Sequence, residues 1–241
     1  MQKVSTVLAI VLSFLIIALM HFGWLYYMEE GGPAARRVEV RVPPGATLHD
    51  VQSVLVELGL LKRPGIFRWA AYLSGSEKGI KTGRYLFRPG ESVSKILSKL
   101  ARGEVDYIRI AIPEGLMLKE ISGLLQEKAE IDSIRFVELA RDAAFVGEMG
   151  IEAPSLEGYL FPDTYLFNWP LTARDVAERI VHRFNEVFGD SMRARADTLG
   201  LSVNEVVTLA SIIQAEAVFD SEMPRISAVY HNRLRRRWRL E

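Results

Sequence analysis

The chain has 241 residues, and its 30 basic and 30 acidic side chains balance to a formal net charge of zero at pH 7. This balance gives no overall attraction to nucleic acid or anionic lipid, so nucleic acid is not expected as a partner. The absence of cysteine excludes disulfides and thiolate chemistry. The four histidines have no pair at metal-ligand spacing, so neither a metal nor a cofactor is expected.

An apolar run near the amino terminus predicts a transmembrane helix over residues 6–28. Val7–Met20 is interrupted only by Ser13, and the whole run matches the roughly 20 residues that cross a bilayer core. Lys3 lies on the short side, so residues 1–5 are predicted to be cytoplasmic and the rest of the chain to be exported. Aromatic residues typical of a membrane interface end the run: Trp24, Tyr26 and Tyr27.

The end of the apolar run also bears on the alternative, a cleaved signal peptide. A signal peptide has a shorter apolar region and a cleavage site between small residues, whereas bulky aromatic residues end this one. A retained anchor is therefore favoured. Residues 29–37 are polar and contain Gly and Pro, so they are predicted to be a linker that lifts a folded domain off the membrane.

A unit of short strand, glycine turn and amphipathic helix recurs three times after this linker. The turns are Val42–Gly45, Phe87–Gly90 and Ile112–Gly115. After each glycine, apolar residues at offsets of three, six and ten form one helix face: Leu48, Val51 and Leu55, then Val93, Ile96 and Leu100, then Leu118, Ile121 and Leu125. The repeat predicts a small α+β module that is partly re-used.

Residues 38–110, which hold the first two units, resemble a LysM-like domain. That resemblance implies binding of glycans that contain N-acetylglucosamine. The aromatic segment Ile66–Tyr72 would supply ring faces for stacking on sugars. Two plainer interpretations stay open, since the module also suits a spacer and aromatic residues at helical spacing usually belong to a core helix.

Leu156–Tyr165, with the sequence LEGYLFPDTY, is predicted to be a loop. Pro162 interrupts its aromatic run, and Asp163 and Thr164 favour a turn. So much aromatic area in a loop indicates that it either lines a groove or plugs a core. Two helices are predicted to follow, over residues 172–188 and 191–199.

Val203–Phe219 is predicted to be an apolar helix with one late carboxylate, Glu216. Ser202 and Glu205 mark its start as a capping box. Its apolar stripe consists of Val206, Leu209, Ala210 and Ile213. Glu216 borders this stripe, and a carboxyl beside apolar surface loses hydration of its charged form and suits a proton donor. The alternative is an ordinary helix-edge glutamate that points into water or pairs with an arginine.

The stretch from Asp220 onward predicts a capping turn and a second amphipathic helix. The apolar face of that helix holds Ile226, Val229, Tyr230 and Leu234. Six arginines lie on it and just beyond it: Arg225, Arg233, Arg235, Arg236, Arg237 and Arg239. They indicate either a solvated helix face or an anionic partner.

Four motifs follow one another along the chain: Ile112–Gly115, Leu156–Tyr165, Leu209–Glu216 and Ala228–Leu234. In this order and spacing they resemble the YceG-like family of endolytic murein transglycosylases. The resemblance covers essentially the whole chain. It implies an α+β protein with an N-terminal transmembrane helix, the LysM-like domain at 38–110 and a mainly helical catalytic domain at 111–241.

In that family the third motif ends in Glu-Lys-Glu-Thr and its second Glu is catalytic, so the resemblance implies that Glu216 is the catalytic acid. Gln214 and Ala217 depart from the pattern. Family members continue after Asn-Arg-Leu into Met-x-Leu-Gln-x-Asp-Pro-Thr, where this sequence has Trp238, Leu240 and Glu241, so a C-terminally truncated and impaired chain is expected. Substrate-binding or supporting roles are implied for Glu157, Asp163, Tyr165, Gln214 and Asn232.

The implied reaction cleaves the linkage between N-acetylmuramic acid and N-acetylglucosamine with a single carboxylate. Glu216 would protonate the glycosidic oxygen and then take the proton of the muramic acid C6 hydroxyl, which attacks C1 to give a 1,6-anhydro end. The substrate would be nascent peptidoglycan strands outside the bacterial cytoplasmic membrane, with peptidoglycan synthases or division proteins as candidate partners. Two other hypotheses stay open: a non-catalytic, membrane-tethered glycan-binding scaffold, and a hydrolase that pairs Glu216 with Glu157 or Glu222.

Overall fold

A computed structural model of the protein describes residues 2–28 and 36–239. It begins with one long helix, α1 (Gln2–Tyr27), in which Thr6–Tyr27 is apolar and long enough to cross a membrane. At 1.5 Å per residue this stretch spans about 33 Å, close to the ~30 Å of a bilayer hydrocarbon core. Most of the predicted linker, residues 29–35, lies outside the described residues, as do Leu240 and Glu241.

The chain divides into two compact units. Unit 1 holds the residues up to 107 together with 168–170, and unit 2 holds 108–167 together with 171–241. The predicted domain boundary between 110 and 111 and the LysM-like nature of the first domain stay predictions.

Unit 1 is built on a two-stranded antiparallel sheet. After α1 its elements are β1 (Val38–Val42), α2 (Leu48–Glu57), α3 (Pro64–Leu73), a 3-10 helix (Ser76–Lys78), β2 (Gly83–Phe87) and α4 (Val93–Arg102). Because side chains alternate along a strand, one sheet face carries the buried residues Val40, Val42, Tyr85 and Phe87. Buried helix residues complete this core, among them Leu55, Phe67, Ala71, Ile96 and Leu100.

The described residues of unit 2 form a second antiparallel strand pair, seven α-helices and one 3-10 helix. These elements are β3 (Ile108–Ile112), α5 (Leu118–Ala129), α6 (Ser133–Ala140), α7 (Ala143–Glu148), β4 (Asp163–Phe167), α8 (Ala173–Val187), α9 (Asp190–Leu199), α10 (Val203–Glu216), a 3-10 helix (Asp220–Glu222) and α11 (Met223–Arg235). The helices predicted at 172–188 and 191–199 are confirmed as α8 and α9.

The predicted strand, glycine turn and helix occur at all three places. Gly45, Gly90 and Gly115 have φ angles of +78°, +81° and +78°, a left-handed conformation that favours glycine. Of the nine predicted apolar positions on the following helices, eight are buried, and Leu48 is partly buried. The repeat is therefore confirmed at the level of local structure.

The predicted loop Leu156–Tyr165 is wrong at its end, because strand β4 begins at Asp163. Side chains from Thr164 onward alternate between exposed and buried, with Tyr165 and Phe167 inward, and the strand pairs with β3. Pro162 precedes the strand, so its missing N–H removes no hydrogen bond from the ladder. The proline therefore ends the loop and leaves the strand intact.

The prediction for the helix at Val203–Phe219 is also wrong at its end, since α10 stops at Glu216. The Glu222 carboxylate accepts hydrogen bonds of 3.1 Å from the backbone N–H groups of Val218 and Phe219. These bonds hold the segment after Ala217 in an extended path, so the helix does not continue.

The apolar stripes of α10 and α11 are less buried than expected. On α10 only Leu209 is buried, and Ala210 is exposed; on α11 only Tyr230 is buried, and Val229 and Leu234 are exposed. Part of the α10 stripe lines an open cleft, which explains why no core covers it.

Candidate active site

Unit 2 contains an open cleft of about 770 Å³. Its walls come from the turn between β3 and α5, the loop before β4, the corner between α8 and α9, and one face of α10. Most of the lining side chains are apolar, and the polar ones are Glu114, Glu157, Ser211 and Gln214. A largely apolar groove with a few polar groups is typical of a ligand site.

The loop before β4 is packed tightly against α10. Gly158 has a φ of +85°, and a Cβ on it would lie 2.7 Å from Cγ1 of Val207. The buried Tyr159 donates a 3.3 Å hydrogen bond to Oδ1 of Asn204 and packs its ring edge on Phe184. Burial raises the pKa of Tyr159 above its ordinary value. The loop thus fills core with some side chains and lines the groove with others.

Glu157 connects this loop to the start of α5. Its Oε1 accepts a 3.3 Å hydrogen bond from the backbone N–H of Leu118, one of the first-turn donors that a helix leaves unpaired. A negative charge there also matches the positive end of the helix dipole. Glu157 lines the cleft, and one of its carboxylate oxygens accepts this hydrogen bond.

Glu216 is the last residue of α10 and directly follows Ala215, which lines the cleft, but Glu216 itself is not one of the lining residues. Its side chain is exposed and has no hydrogen bond or ion pair with any other described residue. The apolar surroundings expected for this carboxyl are therefore not present. The reason is that α10 ends at Glu216 and part of its apolar stripe faces the open cleft instead of a core.

Of the predicted supporting residues, Gln214 is half-buried and lines the cleft, whereas Asn232 does not line it. Asn232 is exposed on α11, and its Oδ1 accepts a hydrogen bond from the Arg235 guanidinium. The Asn232 side chain is therefore hydrogen-bonded to a neighbouring arginine on the same helix.

Asp163 and Tyr165 lie on β4 and do not line the cleft either. The backbone N–H of Thr164 and the Arg183 guanidinium, each at 2.7 Å, lower the pKa of Asp163. Tyr165 is buried, which raises its pKa, and its hydroxyl donates a 2.6 Å hydrogen bond to the carbonyl of Phe161. Since Phe161 lines the cleft, this hydrogen bond lets the buried Tyr165 support the cleft wall.

Several residues that line the cleft were not predicted from the sequence. Glu114 belongs to one of the four motifs, so its motif membership was a usable signal. Met117 and Phe188 had no local signal, because they reach the cleft only through the packing of α5 and of the corner after α8.

Comparisons with known proteins agree on one family. The YceG-like family model matches residues 40–241. The endolytic murein transglycosylase of Bacillus subtilis (strain 168) is 25% identical over an alignment of 220 positions including gaps. The alignment covers 85% of this chain and 61% of the relative. The enzyme of that name from Streptococcus pneumoniae (strain R6) is 26% identical over an alignment of 271 positions including gaps, and the alignment covers 96% of this chain and 48% of the relative.

The chain thus spans about half to three fifths of the length of these curated relatives. The fold is similar to that of a YceG-like protein from Listeria monocytogenes, whose crystal structure was solved at 2.6 Å. That match has a TM-score of 0.52 at 24% identity and covers 85% of this chain and 72% of the other.

Proposed function

The chain belongs to the YceG-like family, and from that membership we propose that it is a lytic transglycosylase that cuts peptidoglycan glycan strands internally. The names of the relatives, endolytic murein transglycosylase, support the substrate class and the reaction. The observation that carries the proposal is the cleft in unit 2. Two motifs far apart in sequence, Leu156–Tyr165 and Leu209–Glu216, contribute residues to this one open space.

The chemistry requires one carboxyl group, and Glu216 is proposed to supply it. The protonated Glu216 gives its proton to the glycosidic oxygen as the bond from that oxygen to C1 of N-acetylmuramic acid breaks. The C6 hydroxyl of the same sugar then attacks C1, and Glu216 takes its proton back. The products are a free N-acetylglucosamine hydroxyl and a 1,6-anhydro end, with no water consumed and an intramolecular nucleophile already in place.

The surroundings of Glu216 support a single-acid mechanism over a hydrolase that pairs it with Glu222. The Glu222 carboxylate is engaged by two backbone N–H groups at 3.1 Å, where it holds the turn after α10. Gln214 and Glu157 are proposed to bind and orient the sugar hydroxyls, since both line the cleft. Phe161 and Phe188 offer apolar surface for the sugar faces.

The helix α1 is proposed to anchor the protein in the bacterial cytoplasmic membrane, with residues 1–5 inside and the chain after α1 outside. The length and apolar character of Thr6–Tyr27 support this anchor. Such a location gives access to nascent strands as they leave the membrane, and peptidoglycan synthases or division proteins are the proposed protein partners.

The test is digestion of isolated sacculi by the detergent-solubilised protein, with the released fragments analysed by mass spectrometry. Glu216→Gln is expected to release roughly 10²–10⁴-fold fewer 1,6-anhydro ends, the usual contribution of a general acid or base. Glu127→Gln is the matched control, because Glu127 is an exposed glutamate on α5 whose partner is its neighbour Lys128.

Each other outcome would contradict a different part of the proposal. Equal release by Glu216→Gln and wild type would remove Glu216 from the mechanism. Reducing ends without anhydro ends would indicate a hydrolase. Binding to sacculi without cleavage by the wild-type protein would favour the glycan-binding scaffold.

A further inference from the structure

The helix α3 carries an exposed apolar patch on the outside of unit 1. Trp69, Tyr72 and Leu73 are 63%, 63% and 70% exposed. The rings of Trp69 and Tyr72 meet edge to face, with centroids 6.2 Å apart. The opposite face of the same helix is in the core, with Phe67, Ala70 and Ala71 buried. A cluster of large apolar side chains held in water marks a binding surface.

The position of α3 in unit 1 indicates what covers this patch. Helix α3 packs against α1, and Phe22 and Tyr26 of α1 are partly buried against the unit 1 core. Phe22 lies about 7.5 Å along the helix axis before Tyr27, the last residue of the apolar stretch. When α1 spans a bilayer, unit 1 is therefore held at the lipid surface.

The charges along α3 and just before it suit the same surface. Residues 62–73 contain three basic side chains and no acidic one, the basic ones being Lys62, Arg63 and Arg68. Aromatic and aliphatic side chains on a helix beside basic ones are typical of helices that lie in a membrane interface, where the basic groups attract anionic headgroups.

We propose that Trp69, Tyr72 and Leu73 form a lipid-docking patch, the α3 patch, which inserts into the bilayer interface next to the outer end of α1. The inference rests on the membrane insertion of α1 in the proposed function. It adds a second point of contact with the membrane, so unit 1 is fixed in orientation and not merely tethered.

The test uses the full chain in vesicles of phosphatidylcholine and phosphatidylglycerol with brominated acyl chains, which quench nearby tryptophan. The chain has four tryptophans, so variants with the other three changed to Phe leave only Trp24, Trp69 or Trp169. Trp169 is the matched control within unit 1. The ring of Trp169 lies 5.9 Å from the guanidinium carbon of Arg41. Arg41 is exposed and lies between two buried residues of β1, so its side chain is on the sheet face away from the core.

Brominated lipid is expected to quench Trp24 and Trp69 strongly and Trp169 little. Quenching of Trp24 without Trp69 overturns the α3 patch and leaves the anchor standing. No quenching of Trp24 overturns the anchor and the patch with it. Equal quenching of Trp69 and Trp169 also overturns the proposal, because the patch would not orient unit 1.

A glycan is the competing occupant, and the same variants exclude or establish it. If oligomers of N-acetylglucosamine shift the Trp69 emission while brominated lipid leaves it unchanged, the surface binds sugar and the lipid proposal is wrong. If the Phe replacements unfold unit 1, the cysteine-free chain allows Leu73→Cys with a polarity-sensitive label instead. A blue shift on vesicles is then expected for Leu73→Cys and not for Arg41→Cys, and its absence overturns the proposal.

Discussion

Unit 1 and unit 2 each contain an antiparallel strand pair of the same register, and unit 2 also contains the cleft of about 770 Å³. The strands β2 and β4 both contain Tyr-Leu-Phe, with Tyr85 opposite Val40 and Tyr165 opposite Ile110. Each tyrosine hydroxyl donates a 2.6 Å hydrogen bond to the carbonyl four residues earlier, that of Lys81 or Phe161. The strands therefore form a common scaffold.

The units differ in what surrounds that scaffold. In unit 1 the second strand starts at Gly83, where a Cβ would lie 2.3 Å from Cγ1 of Val105. In unit 2 the equivalent position is Asp163, paired with Arg183. Unit 2 also inserts the loop before β4 and adds α9, α10 and α11. The cleft therefore forms where inserted and added segments meet the turn between β3 and α5, an element that unit 1 also contains.

The largest expected effects come from truncating one buried aromatic residue in each unit. Phe67 on α3 and Phe136 on α6 are both fully buried. Each change to alanine is expected to cost about 3–5 kcal/mol of unfolding free energy, mainly in its own unit. Hydrogen exchange with mass spectrometry reads the units separately. Equal loosening of both units by Phe67→Ala would mean that they do not have separate cores.

Changing one glycine in each unit tests whether the cleft depends on the close contact between its loop and α10. Gly158→Ala and Gly45→Ala both place a Cβ at positive φ, which costs about 1–2 kcal/mol. Only Gly158→Ala also meets Val207, so it is expected to displace the cleft loop and reduce activity by up to about 10²-fold. Sacculus digestion measures this loss. Adding Val207→Ala should restore activity in part, and failure of that rescue would argue against the contact.

Removing the two equivalent tyrosine hydroxyls should have a smaller effect. Tyr85→Phe and Tyr165→Phe are each expected to lose about 0.5–1.5 kcal/mol, because each leaves a carbonyl without its donor. Thermal unfolding checks this equality. Activity should fall only in Tyr165→Phe, since the carbonyl released there belongs to Phe161 in the cleft wall. Equal activity in both variants would show that Tyr165 does not position the wall.

The smallest effect is expected from pH, through Asp163. Its pKa is lowered in the folded state below the ordinary value of 3.8, so its stabilising contribution is present above that value and is lost as the pH falls through the folded pKa. The pair with Arg183 is more than one third exposed, which limits its strength. Unfolding temperatures of wild type and Asp163→Asn should differ at pH 7 and converge as the pH falls below the folded-state pKa of Asp163. A constant difference would contradict the assignment.

Local signals allowed much of the fold to be predicted. The glycine turns and the capping box of Ser202 with Glu205 depend on residues close together in the sequence, and each lies where it was predicted. The end of α10 was missed because it depends on Glu222, whose carboxylate reaches back along the chain.

The candidate site was harder to predict than the fold. Motif membership brought Glu157 and Gln214 forward, and both line the cleft. Asp163 and Tyr165 belong to the same motif as Glu157, yet the strand turns them to other surroundings. A motif groups residues by position in the sequence, whereas the direction of each side chain depends on strand alternation and on long-range packing.

The matching register of the two sheets has a consequence for how such a protein changes over time. A slip of one residue would exchange the inner and outer faces of a strand, yet both pairs keep the same alignment across different connections. Residues 43–82 join one pair and residues 113–162 the other. Because doubling a connection costs only about 0.6 kcal/mol of closure entropy, new segments are tolerated between the strands. The strand pair is thus an evolvable frame into which a binding surface can be inserted without a change in pairing.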